Sequence, residues 1–193
     1  MLPVVALMTA FAAAYLYSDV HVTFLDGIFS NRPSTWLTWG HLLLPASFFA
    51  VAMASRRYGV NYALAQVLIA CCLIAGLDVA QAADPDVPVI AFPPVRETVS
   101  FAVAFFVALL MAAIVFDLTR GIRWWTAPLS SALWAAFAFC AVFYPAAFIG
   151  TGVDWFDNAA THFGVMVAAA LLLLFPYWVF RPLIRPLPGF GGY

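Results

Sequence analysis

A double arginine set between two apolar runs constrains this chain more than any other feature. Leu42–Ser55 is apolar, Arg56-Arg57-Tyr58-Gly59 follows, and Val60–Leu77 is apolar again. An arginine at mid-bilayer costs on the order of 2.5–3.5 kcal/mol on insertion scales. The pair therefore belongs at a water interface, and both runs must enter the membrane from that side. Composition agrees: of 193 residues, 66% are hydrophobic and 9% charged, where a soluble domain has roughly 45–50% and about 25%. An integral membrane protein is expected. Lysine is absent, which argues against nucleic-acid binding through a basic surface.

Runs of about 20 apolar residues mark spanning helices. Six are predicted, in one transmembrane domain covering residues 1–193: Leu2–Ser18, Trp36–Ser55, Val60–Leu77, Val99–Leu118, Ala127–Ile149 and Ala159–Phe180. The first lacks a basic segment before it and reads as a spanning helix, not a secretion signal. It is short, and its pattern allows a continuation through Val20-His21-Val22 to Leu25. Pro45, Pro145 and Pro176 fall inside predicted helices, where neighbouring helices accommodate a bend without a break. Cys71, Cys72 and Cys140 all lie in apolar runs and read as small buried hydrophobes.

Charge then sets the orientation. Arg56, Arg57, Arg120, Arg123, Arg181 and Arg185 follow the second, fourth and sixth runs. Asp19, Asp26, Asp78, Asp84, Asp86, Glu97, Asp154 and Asp157 lie on the other side, with only Arg32 and Arg96 as basic company. The positive-inside rule puts the six arginines, and hence both termini, in the cytoplasm. A multi-pass protein of the bacterial inner (plasma) membrane is the expectation. Trp36, Trp39, Trp124, Trp125, Tyr177 and Trp178 sit near predicted helix ends, as an interfacial aromatic belt would. Alanines at close spacing, such as Ala108, Ala112 and Ala113 with Ala135 and Ala136, allow helices to approach closely in lipid.

Three stretches carry a family resemblance. The first is Leu44-Pro45-Ala46-Ser47-Phe48-Phe49 leading into Arg57-Tyr58-Gly59. The second runs from Arg96 through Ser100-Phe101-Ala102 to Val115-Phe116-Asp117, with Trp124-Trp125 and Ser130-Ser131 after it. The third is Leu174-Phe175-Pro176-Tyr177. Their order and spacing, from about the second helix to the sixth, resemble the queuosine-precursor transporter family, also called the vitamin-uptake transporter family. The resemblance implies a six-helix bundle similar to the substrate-binding components of vitamin importers, and uptake of a small planar heterocycle such as a deazaguanine base. The chain departs from the family at its usual polar positions, where it holds Ala52, Arg56, Leu109, Ala112 and, in the fifth helix, Ala138 or Phe139. Altered specificity follows.

With the helix interiors nearly free of charge, the polar residues near the outer helix ends are the candidate solute-binding groups. Arg96 matches a family arginine and can donate to a carbonyl or anionic group, although Arg96-Glu97 can also be an ordinary interfacial pair. Ser100 belongs to the same stretch. Asp154-Trp155-x-Asp157-Asn158 with His162 is the densest polar cluster, and Asp19 and His21 lie at a matching depth. Asp19, His21, Asn158 and His162 would line an outward cavity, with Trp155 or Trp134 stacking on a planar ligand; a solvated acidic loop with an interfacial histidine is the plainer alternative. His21, His41 and His162 all fall at the outer side, but no His-x-x-x-His or Cys-x-x-Cys spacing is present, so no metal or cofactor is expected. No catalytic motif appears, and the chain does not read as an enzyme.

Two functions fit. One is solute uptake with altered specificity. The other is a non-transporting structural or accessory subunit, since a bundle stripped of interior polar groups packs well against partner helices. The expected partners are the lipid bilayer and a small solute, with a homo-oligomer or larger membrane complex left open. The orientation is testable: a reporter that needs cytoplasmic folding is expected to work at both termini, and a periplasmic-only reporter between Asp78 and Thr98. Cytoplasmic reporter activity in that loop would overturn the assignment.

Overall fold

A computed structural model describes residues 2–17, 20–27, 33–35, 37–83, 95–121 and 123–186. Among these residues the chain is all helical: α1 (Leu2–Leu16), α2 (Trp39–Tyr58), α3 (Val60–Ala83), α4 (Val95–Leu118), α5 (Thr126–Phe148) and α6 (Trp155–Phe180), with one short 3-10 turn at Pro33–Thr35. Three helical stretches, Arg96–Leu118, Thr126–Phe148 and Trp155–Phe180, are long and apolar enough to cross a membrane. Pro3–Ala14 and Val60–Leu73 are shorter apolar helices.

Helix ends differ from the apolar runs for a physical reason: polarity ends a span without ending a helix. α3 continues past Leu77 to Ala83 through alanine-rich sequence, which favours helix. α4 begins at Val95 and takes Glu97 into its first turn. α6 begins at Trp155, with Asp154 at its N-cap position and Asp157 in its first turn. Carboxylates near a helix N-terminus are favoured by the macrodipole, so these acidic residues start helices where the apolar pattern suggests loops. α1, by contrast, stops at Leu16 and does not continue to Leu25. Residues 20–22 instead run extended beside 37–39, with Val22 N–H donating to Leu37 O (3.0 Å) and Trp39 N–H to Val20 O (2.8 Å). This segment is rich in β-branched residues, which suit extended backbone. Trp36, expected to open the second helix, lies outside the described residues. α2, α5 and α6 run continuously through Pro45, Pro145 and Pro176.

α2 is the hub, touching all five other helices. Its apolar residues point in several directions, and Leu44, Phe48, Val51, Ala52 and Ala54 are all buried, as a helix surrounded by others requires. The most extensive interface joins α4 and α5. Ala104, Ala108, Ala112 and Ala113 on one side and Ala135 and Ala136 on the other are buried there, and Ser131 Oγ donates to Ala112 O (2.8 Å). Small residues let the two backbones approach closely.

The double arginine closes α2. Gly59 has φ 85°, a conformation that favours glycine, and its N–H donates to Ser55 O (2.9 Å), so α3 starts after a single residue. Arg56 is only 6% exposed and donates from Nε to Ile184 O (2.9 Å). The residues after α6 thus cover a side chain that the sequence alone places at a water interface. Arg57 donates to Arg185 O (3.4 Å). Arg120 donates to Ser55 O and pairs with Asp117 (2.8 Å). On α6, Leu172 and Phe175 are 75% and 69% exposed, in a continuous apolar face that a water-soluble monomer rarely presents.

The alanine interface yields a stability prediction. Ala112→Leu forces extra volume between α4 and α5 and is expected to cost about 1–3 kcal/mol, read as a lower thermal midpoint of the detergent-purified protein. Ala102→Leu, on the exposed side of α4, is expected to leave the midpoint near wild type. Equal midpoints for both variants would contradict this packing.

Candidate functional site: a histidine pair

Among the described residues the buried polar and charged side chains are few: Thr38, Ser47, Ser55, Arg56, Gln66, Ser100, Ser131 and His162. Several serve the backbone. Gln66 donates to Pro3 O (2.7 Å), Ser100 to Arg96 O (2.7 Å) and Ser131 to Ala112 O. His162 differs, because it engages side chains from other helices.

His162 stands two turns into α6 and is fully buried. Its Nδ1 lies 3.1 Å from the Tyr144 hydroxyl of α5. The His41 ring of α2 meets it edge-on, with centroids 4.9 Å apart and planes at 90°. Phe139 (5.7 Å) and Tyr144 (5.9 Å) approach the same ring nearly perpendicularly. Phe143 flanks His41 at 6.4 Å. Edge-to-face contacts of this kind place a positive ring edge on a negative face and are worth about 0.5–1.5 kcal/mol beyond burial.

Thr38, at the α2 N-cap, positions His41. Its N–H donates to His41 Nδ1 (3.3 Å) and its Oγ1 lies 2.9 Å from the same nitrogen. This is the capping-box arrangement with histidine in the place of Glu or Gln. An N–H can only donate, so Nδ1 is the acceptor and the ring proton sits on Nε2. Thr38 also pairs with His21 in an isolated antiparallel bridge. The three histidines therefore gather at one end: His21 at the surface beside Thr38, Thr38 on His41, and His41 on His162 with Tyr144 beyond. The arrangement offers imidazole and phenol donors and acceptors inside a box of aromatic walls.

The structure separates the candidates named from sequence. Asn158 is half-buried one turn before His162 on α6, and Trp155 is half-buried at the first residue of that helix, against the core and Phe156 (5.9 Å). His21 is exposed. Arg96 donates from Nε to Ala146 O and from Nη2 to Ile149 O, each at 2.8 Å. It caps the carbonyl-rich end of α5, where a cation is favoured, and Ser100 bonds back to its carbonyl. Trp134 is 52% exposed and rests on Phe137 (5.8 Å), apart from the rings around His162. Asp19 lies outside the described residues.

Thr38, His41, Tyr144, Phe139 and Phe143 were not among those candidates. Two faint signals point to them: a Thr-x-x-His spacing at a helix start, and one tyrosine in the apolar run Ala127–Ile149. Among the described residues, no three His, Cys, Asp or Glu side chains are grouped to hold a metal ion. No family model, characterised protein or solved structure matches the chain.

The Tyr144–His162 bond makes a direct prediction. Tyr144→Phe keeps the ring and removes the hydroxyl, leaving a buried imidazole nitrogen without that partner. A loss of about 1–3 kcal/mol is expected, measured by thermal or denaturant unfolding. Unchanged stability would mean that the hydroxyl is not holding His162.

Proposed function

We propose that the chain is a six-span inner-membrane protein, with both termini in the cytoplasm, that takes up a small planar heterocycle read by His41 and His162. The single observation that carries this reading is the pairing of half-buried His41 with fully buried His162, bonded to Thr38 and Tyr144 and walled by Phe139 and Phe143. Polar and ionisable side chains inside an apolar membrane bundle are costly and mark solute or ion pathways. A ligand site needs apolar walls with a few convergent polar groups, and this end of the bundle has both.

Membership of the queuosine-precursor transporter family, as the sequence motifs suggest, is part of the proposal. The positions where that family usually carries polar groups are buried here as Ala52, Leu109, Ala112 and Ala138, and Arg56 is engaged with Ile184 O. These positions offer little to read a purine-like base, so recognition moves to the end of the bundle with altered specificity. Imidazole and phenol edges can match the donors and acceptors of a heterocycle, while the phenylalanines supply faces for stacking. Uptake then proceeds by alternating access around the histidine pair.

Two observations favour a second reading. The closed, alanine-packed α4–α5 interface and the exposed apolar face of α6 suit an accessory subunit that packs against partner helices.

A thermal-shift screen of the detergent-purified chain against purines, deazapurines and vitamins separates the two, because a ligand that binds only the native state raises its stability. At least one planar heterocycle is expected to raise the midpoint. His41→Ala and His162→Ala are each expected to weaken its binding on the order of ten- to a hundred-fold. No stabilisation by any heterocycle would favour the accessory reading. Stabilisation that survives both substitutions would move the site elsewhere.

A further inference from the structure

The opposite end of α2 carries a second feature that the uptake reading does not use. An open groove of about 650 Å³ is lined by Arg56, Trp178, Val179, Arg181, Pro182, Arg185 and Pro186. Three of the seven lining residues are arginines, and none is a carboxylate. Among the described residues, the ion pair at this end joins Arg120 to Asp117, outside the groove. Arg56 is fixed at the base by its bond to Ile184 O, and Arg57 holds the same segment through Arg185 O. The residues carrying Arg181 and Arg185 are therefore tied to the end of α2.

We propose that this groove binds the phosphate of an anionic phospholipid. Guanidinium groups suit phosphate because their planar donor forks match its oxygens. The groove is also continuous with an apolar stripe. Trp178 on its wall contacts Phe175 (6.3 Å), and Leu171 lies one turn further along α6. All three are exposed and share one helix face at i, i+4 and i+7 spacing. A lipid headgroup held by Arg56, Arg181 and Arg185 would lay its acyl chain along this stripe. A free phosphate ion would use the arginines alone, so the adjoining apolar surface favours lipid as the source.

The test is native mass spectrometry of the full chain released from micelles containing equal amounts of phosphatidylglycerol and phosphatidylcholine. Preferential retention of phosphatidylglycerol is expected, and raising the salt should erase it, because groove charges at a water interface are screened. Arg181→Gln and Arg185→Gln are each expected to lower the preference by about five-fold, the scale of one arginine near an anionic surface. Arg123→Gln removes the same charge from an exposed site outside the groove and should leave the preference largely intact. Equal retention of the two lipids by the wild-type chain would overturn the proposal. So would an Arg123→Gln loss as large as those of the groove variants, which would mean a diffuse field without a site. A parallel arm adds millimolar inorganic phosphate. If phosphate strips the lipid and stabilises lipid-free protein, the ligand is a soluble anion and the lipid assignment fails.

Discussion

Guanidinium groups placed on backbone carbonyls tie this bundle together at both ends. Arg96 donates to Ala146 O and Ile149 O, Arg56 to Ile184 O, and Arg120 to Ser55 O. At the end of α5 the last carbonyls of the helix lack intrahelical donors, and Arg96 supplies them. There a planar cation with five N–H groups also suits the negative end of the helix dipole, whereas Arg56 and Arg120 bind carbonyls outside such an unsatisfied helix end. The bonds also reach far along the chain. Arg96 fixes the start of α4 against the end of α5, and Arg56 fixes the end of α2 against the segment after α6. Between these ties, the α4–α5 interface combines small alanines and a serine hydroxyl with the Phe101 ring set edge-on against Phe139 and Phe143.

α2 connects the two ends. It carries His41 in its first turn and Arg56 near its last, 15 residues apart, or about 22 Å at the helical rise. One end meets α5 and α6 through the edges of the His41 ring, where a Tyr144–His162 bond joins those two helices to each other. The other meets α4 and the C-terminal segment through arginine. Because α2 packs on every other helix, a shift of this one element would be felt at both ends.

Arg96 illustrates how a residue's chemistry and its placement can diverge. As an arginine near an acidic end, it has the donors to hold a solute. In the fold, two of those donors meet carbonyls 50 and 53 residues away. The sequence holds the arginine but not the position of the α5 terminus. His162 shows the reverse case. Its sequence neighbours suggest an interfacial histidine, yet it is fully buried because α6 begins at Trp155 and carries it two turns inward.

The amino-acid sequence by itself determined the helical class, the interior of each helix and the charge asymmetry between the ends, because these depend on local hydropathy and on charge counts along the chain. It also marked the α2–α3 junction, since Tyr-Gly after two arginines needs a tight turn, and Gly59 provides it. Helix starts were less legible, because Glu97 and Asp157 are polar and still favour a helix N-terminus. Only the tertiary structure decided that His41, His162 and Tyr144 meet, and that residues 181–186 fold back over Arg56. Those contacts join residues 121 and 18 positions apart in one case and 128 in the other. Each is set by how the helices pack, a property of the whole bundle that no local pattern of residues encodes.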